Sequence, residues 1–247
     1  MPRSIVLLLA MTLALSTSTV GPRAVLANQV FQPEVSAALR AVDDPIVAEA
    51  RAAQFPDILH AHVDRFWAQR FAIAGQPYQS PGGVVGYATP IVTACGPTDP
   101  AAEVAFYCLL DETIYYSVPF RQYIEGRVGD FGWVVIVAHE WAHHVQREIG
   151  IELGIAPDLG GGVPSVELEQ QADCLAGAYS VWAEEEEWLD PGDIEEALFV
   201  TSVSGDPVGT AWNSPGAHGT GDDRVEAYMA GYDGGISACG IDLRHGG

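Results

Sequence analysis

Asp130-Phe131-Gly132-Trp133-Val134-Val135-Ile136-Val137-Ala138-His139-Glu140-Trp141-Ala142-His143 is the segment from which the rest of the chain can be read. Phe131 to Ala138 carries no charge, and the pattern continues to Gly150. The spacing predicts a buried helix from Asp130, as N-cap, to about Ile149. On a helix, residues four apart lie about 40° apart around the axis, so His139 and His143 share one face, one turn apart. Two imidazoles and a carboxylate in such apolar company are costly unless they share a partner. Two neutral imidazoles fill two of the four tetrahedral positions of a zinc ion. Glu140, beside them, reaches a water on that metal without binding it, which is the placement of a general base.

A third ligand is expected on the next long helix, read from Ser165, as N-cap, to about Trp188. It carries Glu169-Gln170-Gln171-Ala172-Asp173, 26 residues beyond His143, with Glu169 and Asp173 again one turn apart. Glu169 supplies the carboxylate oxygen. Asp173 accepts a hydrogen bond from the outward nitrogen of a ligand histidine and so fixes its tautomer. Glu167 competes for the ligand role but points about 200° away from Glu169 around the axis, and is set aside.

Outward from this pair, residues 34–53 and 56–74 read as amphipathic helices, the first open to a break at Pro45. The second has an apolar face of Leu59, Val63, Phe66, Trp67 and Phe71. His60 lies one turn from Asp64, but His60 and His62 are read as surface residues rather than metal ligands. Residues 75–130 are dense in Gly, Pro and Thr. Val84-Val85-Gly86-Tyr87 and Thr113-Ile114-Tyr115-Tyr116 there predict a small irregular sheet. After a glycine-rich loop from Gly154 to Pro164, further helices are expected from Asp190-Pro191 to about Gly205 and from Asp222 to about Tyr232. His144 is expected to pack or cap, and Glu184 to Glu187 to be a solvated helix end. No internal repeat or low-complexity linker divides the chain. The fold class is α+β and mostly helical.

Composition narrows the function. The chain has 247 residues and a formal net charge of −22, with no lysine. Such a surface repels phosphate, which argues against nucleic acid and anionic membrane as natural partners. Arg3, the apolar run Ile5 to Leu15 and Val25-Leu26-Ala27 describe a secretory signal peptide cut after Ala27. The apolar run is too short to span a bilayer. We therefore expect a signal peptide over 1–27 and a secreted or periplasmic domain over 28–247, with no membrane attachment after cleavage. Cleavage removes Arg3 and Arg23 and no acid, moving the formal charge to −24. Four cysteines in an oxidising compartment suggest two disulfides, with three pairings possible.

His139-Glu140-xx-His143 followed by Glu169-xxx-Asp173 resembles the gluzincin arrangement. Ala138 to Gln146, Gln171-Ala172-Asp173-Cys174-Leu175-Ala176-Gly177, His218-Gly219-Thr220, Ala94-Cys95-Gly96-Pro97, Phe106-Tyr107-Cys108 and Ala238-Cys239 resemble the bacterial neutral zinc metallopeptidase family more closely. These motifs span about residues 55–240. Trp141-Ala142 departs from the family's usual aromatic and glycine, but alanine is also small. The resemblance implies a zincin-like domain, zinc and peptidase chemistry, without naming a substrate.

Further expectations concern the cysteines, His218 and the function. Cys95 pairs with Cys108, closing a short loop in the β-rich region. Cys174, about 140° around its helix from Glu169, faces away from the metal and pairs with Cys239. His218, in a glycine-flanked loop, either steadies the oxyanion of a tetrahedral intermediate or is structural. The function expected is that of a secreted zinc-dependent endopeptidase acting on peptide or protein substrates. A peptide would lie along the sheet near Ile114 to Tyr116. The alternatives are a catalytically silent zincin-fold binding protein and a zinc hydrolase of non-peptide substrates.

Overall fold

A computed structural model describes residues 36–55, 57–150, 165–214 and 216–243. The expected signal peptide, the glycine-rich loop and the residue before Ser165 lie outside these residues. The N-terminal helical stretch is broken at the expected place into α1 (36–42) and α2 (Pro45–Gln54). Pro45 opens the second rather than merely ending the first, because a proline in the first turn lacks only an N–H that would have no partner there. Asp44 caps it by accepting from the backbone N–H of Ile46. Helix α3 (Ile58–Ala74) is capped by Asp57 and stopped by Gly75, whose φ of 72° suits glycine.

The apolar face of α3 is buried as expected, but His60 and His62 are buried with it, not exposed. His62 shares a hydrogen bond with the Tyr179 hydroxyl at 2.8 Å and stacks on Trp188, the ring centroids 3.4 Å apart. Burial pushes both histidines down to about 4, so they pack as neutral aromatic rings. Asp64 is not a metal ligand either, since Arg51 and the Tyr78 hydroxyl occupy its carboxylate.

Residues 83–117 form the sheet region: β1 (Gly83–Tyr87), β2 (Ile91–Thr93), β3 (Gly96–Thr98), β4 (Ala105–Cys108) and β5 (Thr113–Ser117). The order is β1-β5-β4, with β5 parallel to β1 and antiparallel to β4, while β2 and β3 form a separate hairpin. The Cys95–Cys108 disulfide ties that hairpin to β4. Helix α4 (Val118–Arg127) was not expected. Ser117 caps it, accepting from the backbone N–H of Phe120, and Pro119 lies in its first turn.

Helix α5 (Asp130–Glu148) begins with Gly129, not Asp130, at the cap position. Its open N–H groups are answered from elsewhere: Glu196 Oε2 accepts from Phe131 N and Gly132 N at 3.1 and 3.4 Å. Helix α6 (Ser165–Glu185) ends three residues before the expected Trp188. Glu187 adopts a φ of 61° there, turning Trp188 back onto His62. Helices α7 (Asp193–Val203) and α8 (Gly221–Gly234) follow, and a 3-10 turn over Ile236–Cys239 carries the Cys174–Cys239 disulfide back to α6. Both expected pairings are present, and no cysteine is free among the described residues. None of the described helices is long and apolar enough to cross a membrane.

The core lies where α3, α5, α6 and α8 meet, around Trp67, Trp133, Trp141, Tyr179 and Tyr228. The Trp141 indole donates to the Tyr78 hydroxyl at 2.9 Å, so the large residue inside the histidine motif is both packed and satisfied. Helices α6 and α8 touch backbone to backbone. A Cβ on Gly177 would sit 2.0 Å from Tyr228 O, and one on Gly231 would sit 1.7 Å from Cys174 O. Gly231→Ala should therefore cost about 3 kcal/mol, at the upper end of overpacking effects. Urea unfolding measures it, and an unchanged midpoint would mean that the two helices do not cross there.

Candidate metal centre

Helix α5 presents His139 and His143 one turn apart, and α6 brings Glu169 to them. One ligand atom from each residue lies within 4.8 Å of the others. His139 Nε2 is 3.1 Å from His143 Nε2 and 3.0 Å from Glu169 Oε2, and His143 Nε2 is 3.5 Å from Glu169 Oε1. Zinc bonds of about 2.0–2.1 Å at tetrahedral angles would separate ligand atoms by about 3.3 Å. The spacing fits.

The outward nitrogens strengthen the fit. His139 Nδ1 lies 2.9 Å from Asp173 Oδ1, and His143 Nδ1 lies 2.8 Å from Gln146 Oε1. Both partners are acceptors, so each neutral ring carries its proton on Nδ1 and turns an Nε2 lone pair to the centre. Two lone pairs and a carboxylate converging at this distance repel unless a cation sits among them. Burial opposes a charge on His139, but Asp173 and Glu169 outweigh it and raise the ring to about 10. Burial likewise opposes ionisation of Glu169, yet His143, His139 and Arg224 hold its carboxyl well below the usual range. The pocket thus favours positive charge, and its imidazole and carboxylate donors are those that zinc takes.

Asp173 is itself held. Arg224, buried on α8, donates from Nε to Asp173 Oδ2 at 2.7 Å and from Nη2 to Oδ1 at 2.8 Å, while Nη1 donates to Ser204 O. This forked pair fixes the carboxylate that orients His139. Glu167 is exposed and outside the group, as its direction on the helix predicts.

Glu140 is buried beside the ligands without joining them. Burial raises its pKa, against the pull of His139 and His143 and a backbone hydrogen bond from Tyr107. It lines a cavity of about 600 Å³ between β4, α5 and α7, which His139, His143, Glu169 and Arg224 also line. His218 stands on the rim of the same cavity. Asp206 orients it, accepting from the backbone N–H of His218 at 2.7 Å and lying 3.2 Å from its Nδ1. His144 faces elsewhere and packs, between Tyr107 and the carbonyl of Gln79. The acidic end of α6 is exposed, with Glu186 paired to Arg65.

All six residues singled out for the site, His139, Glu140, His143, Glu169, Asp173 and His218, therefore line one cavity. Arg224, Asp206 and Gln146 escaped the sequence reading. Arg224 left a faint signal, a lone cation among Asp222, Asp223 and Glu226 in a chain with 33 acidic and 11 basic residues.

Comparison with known proteins agrees. The chain is 32% identical over 205 residues to the uncharacterized protein YpfJ of Escherichia coli (strain K12), covering 77% of this chain and 71% of that one. It is 32% identical over 163 residues to the uncharacterized protein Rv2575 of Mycobacterium tuberculosis (strain ATCC 25618 / H37Rv), covering 57% of this chain and 55% of that one. No solved structure matches it significantly. A family model described as "Putative neutral zinc metallopeptidase" matches residues 3–241, beginning well before the motifs that first suggested it. With that match over nearly the whole chain, and a histidine and carboxylate centre suited to zinc, the protein belongs to this metallopeptidase family.

Proposed function

We propose that this protein is an exported zinc-dependent endopeptidase in which His139, His143 and Glu169 hold the metal. The observation that carries the reading is the placement of Glu140, buried beside a converging ligand set on the wall of an open cavity. A scaffold that only bound zinc would have no use for an unligated carboxylate there. Zinc in this site would supply Lewis acidity, lowering the pKa of a water towards ~7 and polarising a scissile carbonyl. Glu140, its proton affinity raised by burial, takes the proton from the attacking water and delivers it to the leaving amine. His218, its Nδ1 turned to Asp206, is placed to donate Nε2–H to the developing oxyanion when the ring carries both protons.

The peptide is assigned to a different strand from the one the sequence suggested. Ile114 to Tyr116 lie in β5, which is central and paired on both sides, so it has no edge to offer. Strand β4 pairs with β5 alone in its sheet and borders the cavity, so an extended substrate can add along it by main-chain hydrogen bonds. Two disulfides support an oxidising compartment, and the net charge of −22 disfavours nucleic acid as a partner.

Three variants test this reading. Glu169→Gln should leave the fold intact and abolish stoichiometric zinc in the purified chain; unchanged zinc content would assign the third ligand elsewhere. Glu140→Gln should keep zinc and slow hydrolysis of an unfolded protein substrate by ~100-fold or more. Equal rates for wild type and variant, or no hydrolysis by wild type, would overturn the mechanism. Asp173→Asn, which keeps an acceptor but removes the charge facing His139 and Arg224, should weaken zinc by ~10-fold to 100-fold in chelator competition.

A further inference from the structure

We propose that Gln146 and Gln171 form a directional relay that commits His143 to metal binding, making both glutamines positioning residues. The inference rests on the reading of His143 as a zinc ligand. The carbonyl of Cys239 can only accept, so the Gln171 side chain must turn its amide nitrogen there, at 3.0 Å. That leaves Gln171 Oε1 facing Gln146, whose Nε2 donates to it at 3.1 Å and to the Leu168 carbonyl at 2.9 Å. With both acceptors on its nitrogen side, Gln146 must present Oε1 to His143 Nδ1, at 2.8 Å. Rotating either amide would set oxygen against a carbonyl oxygen. Nδ1 therefore carries the proton, and the Nε2 lone pair is committed to the centre before any metal arrives.

The relay's position gives it consequence. Gln146 is fully buried, one turn beyond His143 on the same face of α5. Gln171 stands between Glu169 and Asp173 on α6, and the Cys174–Cys239 bridge holds the terminal carbonyl against that helix. One helix thus sets both imidazoles, His139 through the Asp173 carboxylate and His143 through two neutral amides. The amides orient the second ring without adding another buried negative charge.

Zinc affinity of the full chain, by chelator competition, tests the relay. Gln146→Met keeps the length and removes the acceptor, and should weaken zinc ~10-fold to 100-fold. Gln146→Glu keeps an acceptor for His143 while losing the donor to Leu168 and Gln171, and should bind zinc as tightly as wild type despite a lower melting temperature. If Gln146 served only to join α5 to α6, both variants would lose zinc alike, and that result overturns the proposal. So does unchanged affinity in Gln146→Met. Should Gln146→Met not fold, Gln171→Met, at a half-buried position, takes its place and should weaken zinc in the same direction; unchanged affinity there is equally fatal. His143→Ala in parallel separates the two readings. If it binds zinc as wild type does, the ligand set is wrong and the relay falls with it. If it loses zinc while Gln146→Met does not, the relay alone is wrong.

Discussion

The forked contact between Arg224 and Asp173 is the interaction from which the centre is built. Both residues are almost wholly buried, and either charge would be costly to bury there without the other. Without the guanidinium, the Asp173 carboxylate would be an unanswered charge beside His139. With it, the carboxylate has a fixed orientation and His139 a fixed tautomer. Arg224 reaches this place because α8 lies directly on α6, and α8 lies there because Gly177 and Gly231 leave no side chain between the backbones. A steric property of two glycines is in this way converted into the electrostatics of a histidine.

The surroundings of Glu140 follow a different logic. The ligands draw positive charge inward, whereas Glu140 is left with burial as its leading influence and a cavity in front of it. Two carboxylates on facing helices therefore differ in kind. Glu169 is held ionised, and Glu140 is made more basic. Environment separates a ligand from a base although the side chains are the same.

Sequence made the local parts of this arrangement legible. The helices carrying the ligands, the order of ligands along them and both disulfide pairings follow from periodicity, spacing and the family's motifs. What escaped it depends on contacts between distant residues. The cap of α5 is supplied by Glu196, so Asp130 looked like the cap when only its neighbours could be seen. His60 and His62 are polar letters on a helix, and only Tyr179, Trp188 and the sheet make them core residues. Helix α4 hides in a stretch rich in strand formers, although Ser117 and Pro119 mark its start. The strand nearest the cavity could not be chosen without knowing that β5 is central. Arg224 carries no motif and acts through a residue 51 positions away, while Gln146 closes the histidine motif without showing there which of its amide atoms faces His143.

The bridge between Cys174 and Cys239 also has a meaning in time. A chain is delivered from its N-terminus, so His139, His143 and Glu169 emerge well before Arg224 and Cys239. Until residue 224 has followed, Asp173 lacks its counter-charge; until residue 239 has followed, Cys174 lacks its partner and the α6 glutamine its terminal carbonyl. The ligands are thus among the earlier parts to be made and the parts that orient them among the later. A half-emerged chain carries the motif but not the finished centre, and completion of the centre coincides with completion of the fold around it.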